Sequence, residues 1–367
     1  MRPRFGVLVL QNSSVDDLIE RVRAVEGWGF DHAWVADHFL NYHRPDEDWH
    51  EGWTLLAALA RETSTIRLGT LVSSMALRNP AILARQAMTV DHLSNGRLEL
   101  GIGSSGTPTD FAMTGVGPWN AAERRERFGE FVEIVDRLLR GESVSFAGRH
   151  YSIEGASVRP RPIQTPRPSL TLGALGKGAM RVAVERAESW SSYPVKASGR
   201  VADTSARVRG NDALALAHER NATVDRLCEE VGRDPASLRR SYLSLIGYTE
   251  PVPEPDEFCD IIERYADAGM DEFIVYWPSD KSDRERLEAI AKGCRSVASF
   301  IRGRQVPVLS PIALRSASVR RKRGLVRIFL EEPHLHDPSV VDAIDGDLLP
   351  FAVVPTGTAR ESQDRGS

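Results

Sequence analysis

Residues 67–106, RLGTLVSSMALRNPAILARQAMTVDHLSNGRLELGIGSSG, constrain the fold more than any other stretch. An apolar run at 68–73 has the length of one buried strand. Asn79 then stands in the N-cap position with Pro80 as first helical residue, a pairing that starts helices because proline lacks the N–H that would go unpaired there. Ile82, Leu83, Met88, Val90 and Leu93 supply an apolar face until Asn95-Gly96 breaks the helix. A second apolar strand, 98–103, runs into the small-residue loop Gly103-Ser104-Ser105-Gly106. This is one β–α–β unit, and it places function at the strand exits.

The same grammar recurs along the chain. Strands are expected at 5–10, 31–36, 67–73, 97–103, 169–175, 189–194, 241–248 and 271–277, with helical periodicity after each. Eight strand–helix repeats are the count of a closed (β/α)8 TIM barrel. Nearly continuous apolar strands suit a parallel sheet covered on both faces. A doubly wound sheet fits less well, because it needs fewer strands and an early GxGxxG. Two stretches exceed the repeat. Residues 143–168 read as a hairpin-like excursion ending in prolines, and 195–240 as a polar helical insertion. The barrel is expected over 1–304, and 305–367, with its basic run SVRRKRGLVR, as a C-terminal extension, partly disordered and solvated.

Composition narrows the class. A net charge of −4 gives no reason to expect nucleic acid or an anionic membrane as partner. No apolar run reaches the length of a membrane span, and the N-terminus reads as a first strand rather than a signal peptide. Cys228, Cys259 and Cys294 are odd in number and scattered, against a disulfide framework or a zinc site, so a reducing cytoplasm is the default expectation.

Barrel chemistry sits at the C-terminal strand ends. There Asp37-His38 is the strongest acid–base pair, with imidazole titrating near neutrality and a carboxylate beside it in sequence to orient it. The bland reading of the pair is a loop histidine with a hydrogen bond. The glycine loops 103–106 and Gly173-Ala174-Leu175-Gly176-Lys177-Gly178 let backbone N–H groups approach an anion, and Lys177 would add a charge. Neither has the Walker spacing, and glycine also serves any tight turn. Together they point to a phosphate-bearing cofactor. Phe39, Tyr42, Trp49 and Trp53 in the loop after the second strand, with Trp277 at the end of the eighth, are candidates for an aromatic wall against substrate, unless they only pack the barrel mouth.

The segments WGFDHAWVADHF, RNPAILARQAMTVDHLSNGRLELGIG, GESVSFAGRHYSIEG and LTLGALGKGAMRVAVERAESW, in that order from residue 4 to about 300, resemble the luciferase-like monooxygenase superfamily. The resemblance implies a (β/α)8 barrel using the deazaflavin coenzyme F-420 or reduced flavin mononucleotide (FMN). It implies that His38 stands beside the reactive ring carbon. Leu71-Val72 would form a strand-three bulge backing the ring, often through a non-proline cis peptide. The two glycine loops would contact the cofactor phosphate and side chain. Deazaflavin-dependent sugar-phosphate dehydrogenases of this group carry a glutamate in the strand-four loop, where this chain reads Ser104-Ser105-Gly106, so that proton donor has no counterpart at this position.

The leading expectation is therefore a deazaflavin-dependent oxidoreductase that moves hydride between coenzyme F-420 and a small organic substrate. His38 would move the proton and Asp37 would orient His38. The alternative is an FMN-dependent monooxygenase fed by a separate flavin reductase. A third reading keeps the barrel as a non-catalytic binder. A homodimer is expected by resemblance.

Overall fold

The computed structural model describes residues 3–42, 44–196, 207–303, 318–322, 325–329 and 351–353, with side chains up to residue 293. The chain divides into two units, Met1–Ser299 and Phe300–Ser367.

In the first unit eight parallel strands close into a barrel in the order β1-β10-β9-β8-β7-β4-β3-β2. These are β1 (Arg4–Leu8), β2 (His32–Val35), β3 (Arg67–Ser74), β4 (Leu98–Gly103), β7 (Ser169–Gly173), β8 (Ser189–Ser192), β9 (Arg239–Leu243) and β10 (Glu272–Tyr276). Between β4 and β7 the expected excursion is an antiparallel hairpin of β5 (Val144–Ala147) and β6 (Ser152–Ala156). Helices α1 (Val15–Trp28), α2 (Gly52–Glu62), α3 (Pro80–Leu93), α5 (Ala121–Leu139), α6 (Lys177–Arg186), α7 (Gly210–Glu230), α8 (Pro255–Asp267) and α9 (Lys281–Gly303) connect the strands, and a short α4 (Pro108–Thr114) precedes α5.

Local chemistry starts and stops these elements as the sequence implied. The Asn79 side chain accepts from the N–H groups of Ala81 and Ile82, with Pro80 opening α3. Asn95 and Gly96 take positive φ and end its connection. Leu83, Ala84, Ala87, Met88 and Val90 are the buried face of α3, whereas Ile82 is exposed. Small alanines at 84 and 87, rather than the larger Ile82, let the helix lie close to its neighbours.

The stretch expected as an inserted helix, 195–240, resolves differently. Its helix α7 buries Val224, Leu227 and Cys228 and is the crossover between β8 and β9 that a barrel requires. Only the segment leading into it is additional. An antiparallel bridge between Val195 and Arg207 ties that segment at its base, and residues 197–206 lie outside the described ones.

At the floor of the barrel Arg4, His32, Arg67, Glu99 and Glu272 meet near the starts of their strands. Arg4 Nη2 lies 2.7 Å from Glu99 Oε2, Arg4 Nε 2.8 Å from Glu272 Oε2, and Arg67 Nε 2.5 Å from Glu99 Oε1. Ser241 donates to Glu272 Oε1 at 3.0 Å. His32, Glu99 and Glu272 are close enough to hold a metal ion, but all four carboxylate oxygens already accept hydrogen bonds. The cluster is a plug of paired acidic and basic side chains.

The second unit contains β11 (Ser318–Lys322), antiparallel to β12 (Leu325–Phe329), which runs parallel to β13 (Phe351–Val353). The expected disorder of the extension concerns residues outside the described ones. Among the described residues, no helix is long and apolar enough to cross a membrane.

Candidate functional site

A cavity of about 550 Å³ opens at the C-terminal ends of the strands. That volume falls within the roughly 300–1,000 Å³ typical of small-molecule and cofactor sites.

His38 lines the cavity and is held on three sides. Its Nδ1 is 2.8 Å from Asp110 Oδ2, Phe39 N–H donates to Asp110 Oδ1 at 2.9 Å, and Trp49 Nε1 donates to the His38 carbonyl at 3.0 Å. Asp110 is 2% exposed. With Nδ1 taken by a buried carboxylate, Nε2 is the nitrogen left for the cavity. The carboxylate that orients His38 is thus Asp110, on α4, and not Asp37. Asp37 turns the other way, accepting from Arg78 Nη2 at 2.5 Å, Arg78 Nε at 3.1 Å and Ser74 N–H at 3.1 Å. Arg78 also pairs with Glu51, the N-cap of α2. Burial opposes ionisation of Glu51, yet hydrogen bonds from Thr54 and Arg78 hold its carboxyl at about 2. Asp37 therefore stitches the exits of β2 and β3 to the start of α2.

The expected strand-three feature is present. The Leu71–Val72 peptide is cis, and the β3–β4 register shifts between Thr70 and Ser73. Both residues line the cavity. A Cβ on Gly103 would stand 2.3 Å from Val72 Cγ2, and one on Gly173 would stand 3.1 Å from Val72 Cγ1. The side chain at 72 fills the room these two glycines leave, producing a flat apolar floor.

All of Gly103, Ser104, Ser105 and Gly106 reach the cavity. Ser105 adopts φ 52, and its hydroxyl lies 2.7 Å from Ser74 Oγ and accepts from Ala76 N–H at 3.0 Å. That hydroxyl fixes the loop. Of the second glycine loop, Gly173, Leu175, Gly176 and Gly178 line the cavity, while Ala174 is buried with its carbonyl accepting from Trp190 Nε1 at 2.7 Å. Lys177 is exposed and outside the lining. Its place as a nearby cation is taken by Arg124 and Arg125, from the first turn of α5. A Cβ on Gly178 would lie 2.2 Å from Arg125 Cδ, so glycine there gives the arginine passage. Gly176 caps α6 without a side-chain hydrogen bond, leaving the first-turn N–H groups of that helix for an anion.

The aromatic expectations separate. Trp49 lines the cavity. Trp53 is core, 2% exposed, with Nε1 donating to Ser73 Oγ at 3.0 Å. Trp277 stacks on Trp28 at 5.4 Å and 8°, on the outside of the barrel. Alternation along an extended chain explains this, because Tyr276 faces the cavity and its neighbour must face the helices. Tyr42, from the same loop as Trp49, lines the cavity too, and Tyr193, Tyr248 and Tyr276 complete the aromatic wall. Arg220 anchors part of it, donating to the Tyr193 carbonyl at 2.5 Å, to Ser192 Oγ at 3.1 Å and to the Val195 carbonyl. Burial among these neutral acceptors lowers its pKa to about 10. The signal for Asp110 was available in Thr107-Pro108, a helix start with an acid in its first turn.

The fold is shared with solved structures that are too distant in sequence to show more than fold. An F-420-dependent secondary alcohol dehydrogenase, solved with an F-420–acetone adduct, superposes with TM-score 0.66 at 16% identity, covering 79% of this chain and 98% of that one. The coenzyme F-420 dependent tetrahydromethanopterin reductase from Methanopyrus kandleri gives 0.65 at 18%, covering 80% and 98%. Monooxygenase RslO1 from Streptomyces bottropensis gives 0.63 at 19%, covering 80% and 99%. In sequence, the chain is 34% identical over 151 residues to an F-420-dependent glucose-6-phosphate dehydrogenase of Amycolatopsis mediterranei, a match spanning 40% of this chain and 45% of that relative. Residues 2–268 match the family described as luciferase-like monooxygenase. With most of the barrel inside that match, the chain belongs to the luciferase-like monooxygenase family.

Proposed function

We propose that this protein is an oxidoreductase that uses coenzyme F-420 and moves hydride between it and a small organic substrate. The observation that carries the reading is His38, fixed by the buried Asp110 beside the flat floor of Val72, Gly103 and Gly173. Relatives described as F-420-dependent support the same choice.

The residues present fit such a coenzyme. Val72 and the two glycines offer a seat for a planar ring, with no Cβ above it at 103 or 173. The open first turn of α6, with Arg124 and Arg125 near it, offers an anion site for a phosphate. When bound, the coenzyme supplies two-electron hydride chemistry, and the protein supplies position and proton management.

His38 manages the proton. A carboxylate on Nδ1 selects the tautomer with its hydrogen on that nitrogen, so Nε2 accepts a hydroxyl proton from an alcohol. Asp110 then lies 2.8 Å from the imidazolium that forms and stabilises it, and in the reverse direction Nε2–H returns the proton to a carbonyl oxygen. Trp49, bonded to the His38 carbonyl, holds the backbone during this exchange. Asp37 acts as a positioning residue, keeping the β2 and β3 exits in register. A homodimer in a reducing cytoplasm is part of the same reading, and light scattering of the purified protein tests the dimer.

The deciding experiment is a fluorescence-quenching titration with oxidised coenzyme F-420 and, separately, with FMN in both redox states. Micromolar or tighter binding of the deazaflavin, weakened by substitutions in 103–106, is the expected result. Preference for reduced FMN would reassign the protein as an oxygen-using monooxygenase served by a reductase. Binding of neither would leave a non-catalytic barrel.

A further inference from the structure

Four tyrosines from four separate strand exits converge on one side of the cavity. Tyr42 follows β2, Tyr193 follows β8, Tyr248 follows β9, and Tyr276 ends β10. Their rings are in mutual contact or in contact with the proton-handling site. Tyr248 and Tyr276 stack at 4.7 Å and 20°, and Tyr42 meets His38 edge-on at 5.1 Å and 72°. Behind them the Arg207 guanidinium lies 5.3 Å from the Tyr248 ring and 5.9 Å from the Tyr193 ring. Its charge acts on the Tyr42 and Tyr248 phenols, opposing the upward push of burial on both.

The chemistry of this wall is specific. Its faces are electron-rich rings, suited to offset or edge contact with another ring at about 0.5–1.5 kcal/mol per pair beyond burial. A phenol beside a guanidinium keeps its O–H as a donor. Burial raises the pKa of all four phenols, so they stay neutral donors at physiological pH. The described lining contains no carboxylate to receive a cationic substrate. Of its cations, Arg124 and Arg125 stand at the α6 end and Lys196 is exposed at the rim, while Arg207 lies against the Tyr193 and Tyr248 rings. Leu8, Leu10 and Leu243, beside the wall, are apolar. A phosphate dianion placed against the ring faces would meet their electron-rich π surface, an unfavourable contact.

Resting on the oxidoreductase reading above, we propose that the substrate is a planar, uncharged aromatic compound bearing ring oxygens, phenolic or quinonoid. It would be seated with its ring against Tyr193, Tyr248 and Tyr276 and an oxygen within reach of the tyrosine hydroxyls. This sets the chain apart from its glucose-6-phosphate dehydrogenase relative, with which it shares less than half of its length.

Isothermal titration calorimetry with 2-naphthol and with glucose 6-phosphate, on protein with and without oxidised coenzyme F-420, tests the wall. Micromolar binding of 2-naphthol, no binding of glucose 6-phosphate, and an about tenfold loss of naphthol affinity in Tyr248→Leu are expected. Coenzyme affinity unchanged within about twofold in that variant would show that the barrel is folded. Tighter binding of glucose 6-phosphate than of 2-naphthol overturns the proposal, as does naphthol affinity unaffected by Tyr248→Leu. Because naphthol is scored without coenzyme as well, failure of coenzyme binding would sink the oxidoreductase reading alone.

Discussion

His38 and Asp110 are 72 residues apart in sequence and 2.8 Å apart at Nδ1 and Oδ2. The contact exists because β2 and β4 lie on the same side of the closed barrel, separated by β3, so that their exit loops fold over one cavity. It predicts a division of labour. His38→Ala should lower kcat by about 10²–10⁴, the usual worth of a general acid–base group. Asp110→Asn should cost about 10–100-fold, since the ring remains but its tautomer and orientation are no longer fixed. Coenzyme affinity measured by fluorescence should move little in either variant, and a large loss of affinity would reassign both residues to binding.

Asp37 should behave differently. Its carboxylate is 2% exposed and neutralises Arg78 while accepting from Ser74 N–H. Asp37→Ala leaves the Arg78 guanidinium with Glu51 as its remaining carboxylate partner and Ser74 N–H without its acceptor, at a cost of about 1–3 kcal/mol. Thermal unfolding should shift down clearly, while kcat of the protein that remains folded falls far less than in His38→Ala. A normal unfolding midpoint with abolished turnover would return Asp37 to the proton path.

The floor at Gly103 makes a steric prediction. A methyl group there would meet Val72 Cγ2 at 2.3 Å, so Gly103→Ala should push Val72 into the ring seat and weaken coenzyme binding by at least about tenfold. Adding Val72→Ala removes the opposing methyl groups and should restore much of the affinity. Titrating the single and double variants side by side decides it. Absence of rescue would mean that the loop backbone, not the Val72 side chain, sets the seat.

Acid stability follows from Glu99. Full burial favours its neutral form, but His32 and then the Arg4 and Arg67 guanidiniums overcome this and hold the carboxyl well below its ordinary range. The folded pKa lies below the unfolded value of about 4.3. The group therefore contributes stability above about pH 4.3, and that contribution is lost as pH falls toward the folded value. Urea denaturation between pH 7 and pH 3 should show a steep loss below about pH 4.3. Glu99→Gln should be less stable at pH 7 and show a shallower fall in acid; an unchanged slope would refute the assignment.

Trp53 offers a check on the aromatic reading. Trp53→Phe removes the hydrogen bond to Ser73 Oγ, which keeps its contact with Thr70 at 2.8 Å. The expected cost is about 1 kcal/mol in stability, with substrate KM unchanged. Trp49→Phe, by contrast, frees the His38 carbonyl and should lower kcat.

Much of this was legible in the chain itself. Asn79-Pro80 and Asn95-Gly96 announce the limits of α3 through local hydrogen bonding and φ preference, and both act within a few residues. Most of the barrel strands are apolar runs, which suits burial on both faces, while β8, SWSS, is legible only from its place in the repeat. The choice of a side chain between two directions was not legible in this way. Asp37, adjacent to His38 in sequence, points to the other side of β2's exit, as Trp277 does beside Tyr276. Sequence adjacency in an extended segment implies opposite faces, so the neighbour of a site residue is the one least able to touch it.

The sequence by itself determined the repeats, the helix caps, the glycine loops and the histidine at the barrel mouth, because each depends on short-range backbone energetics or on periodic burial. Only the tertiary structure decided which carboxylate meets His38, which aromatics face the cavity and which cations approach α6. Those choices are fixed by barrel closure, which brings loops far apart in the chain to within hydrogen-bonding distance. No local pattern encodes that distance.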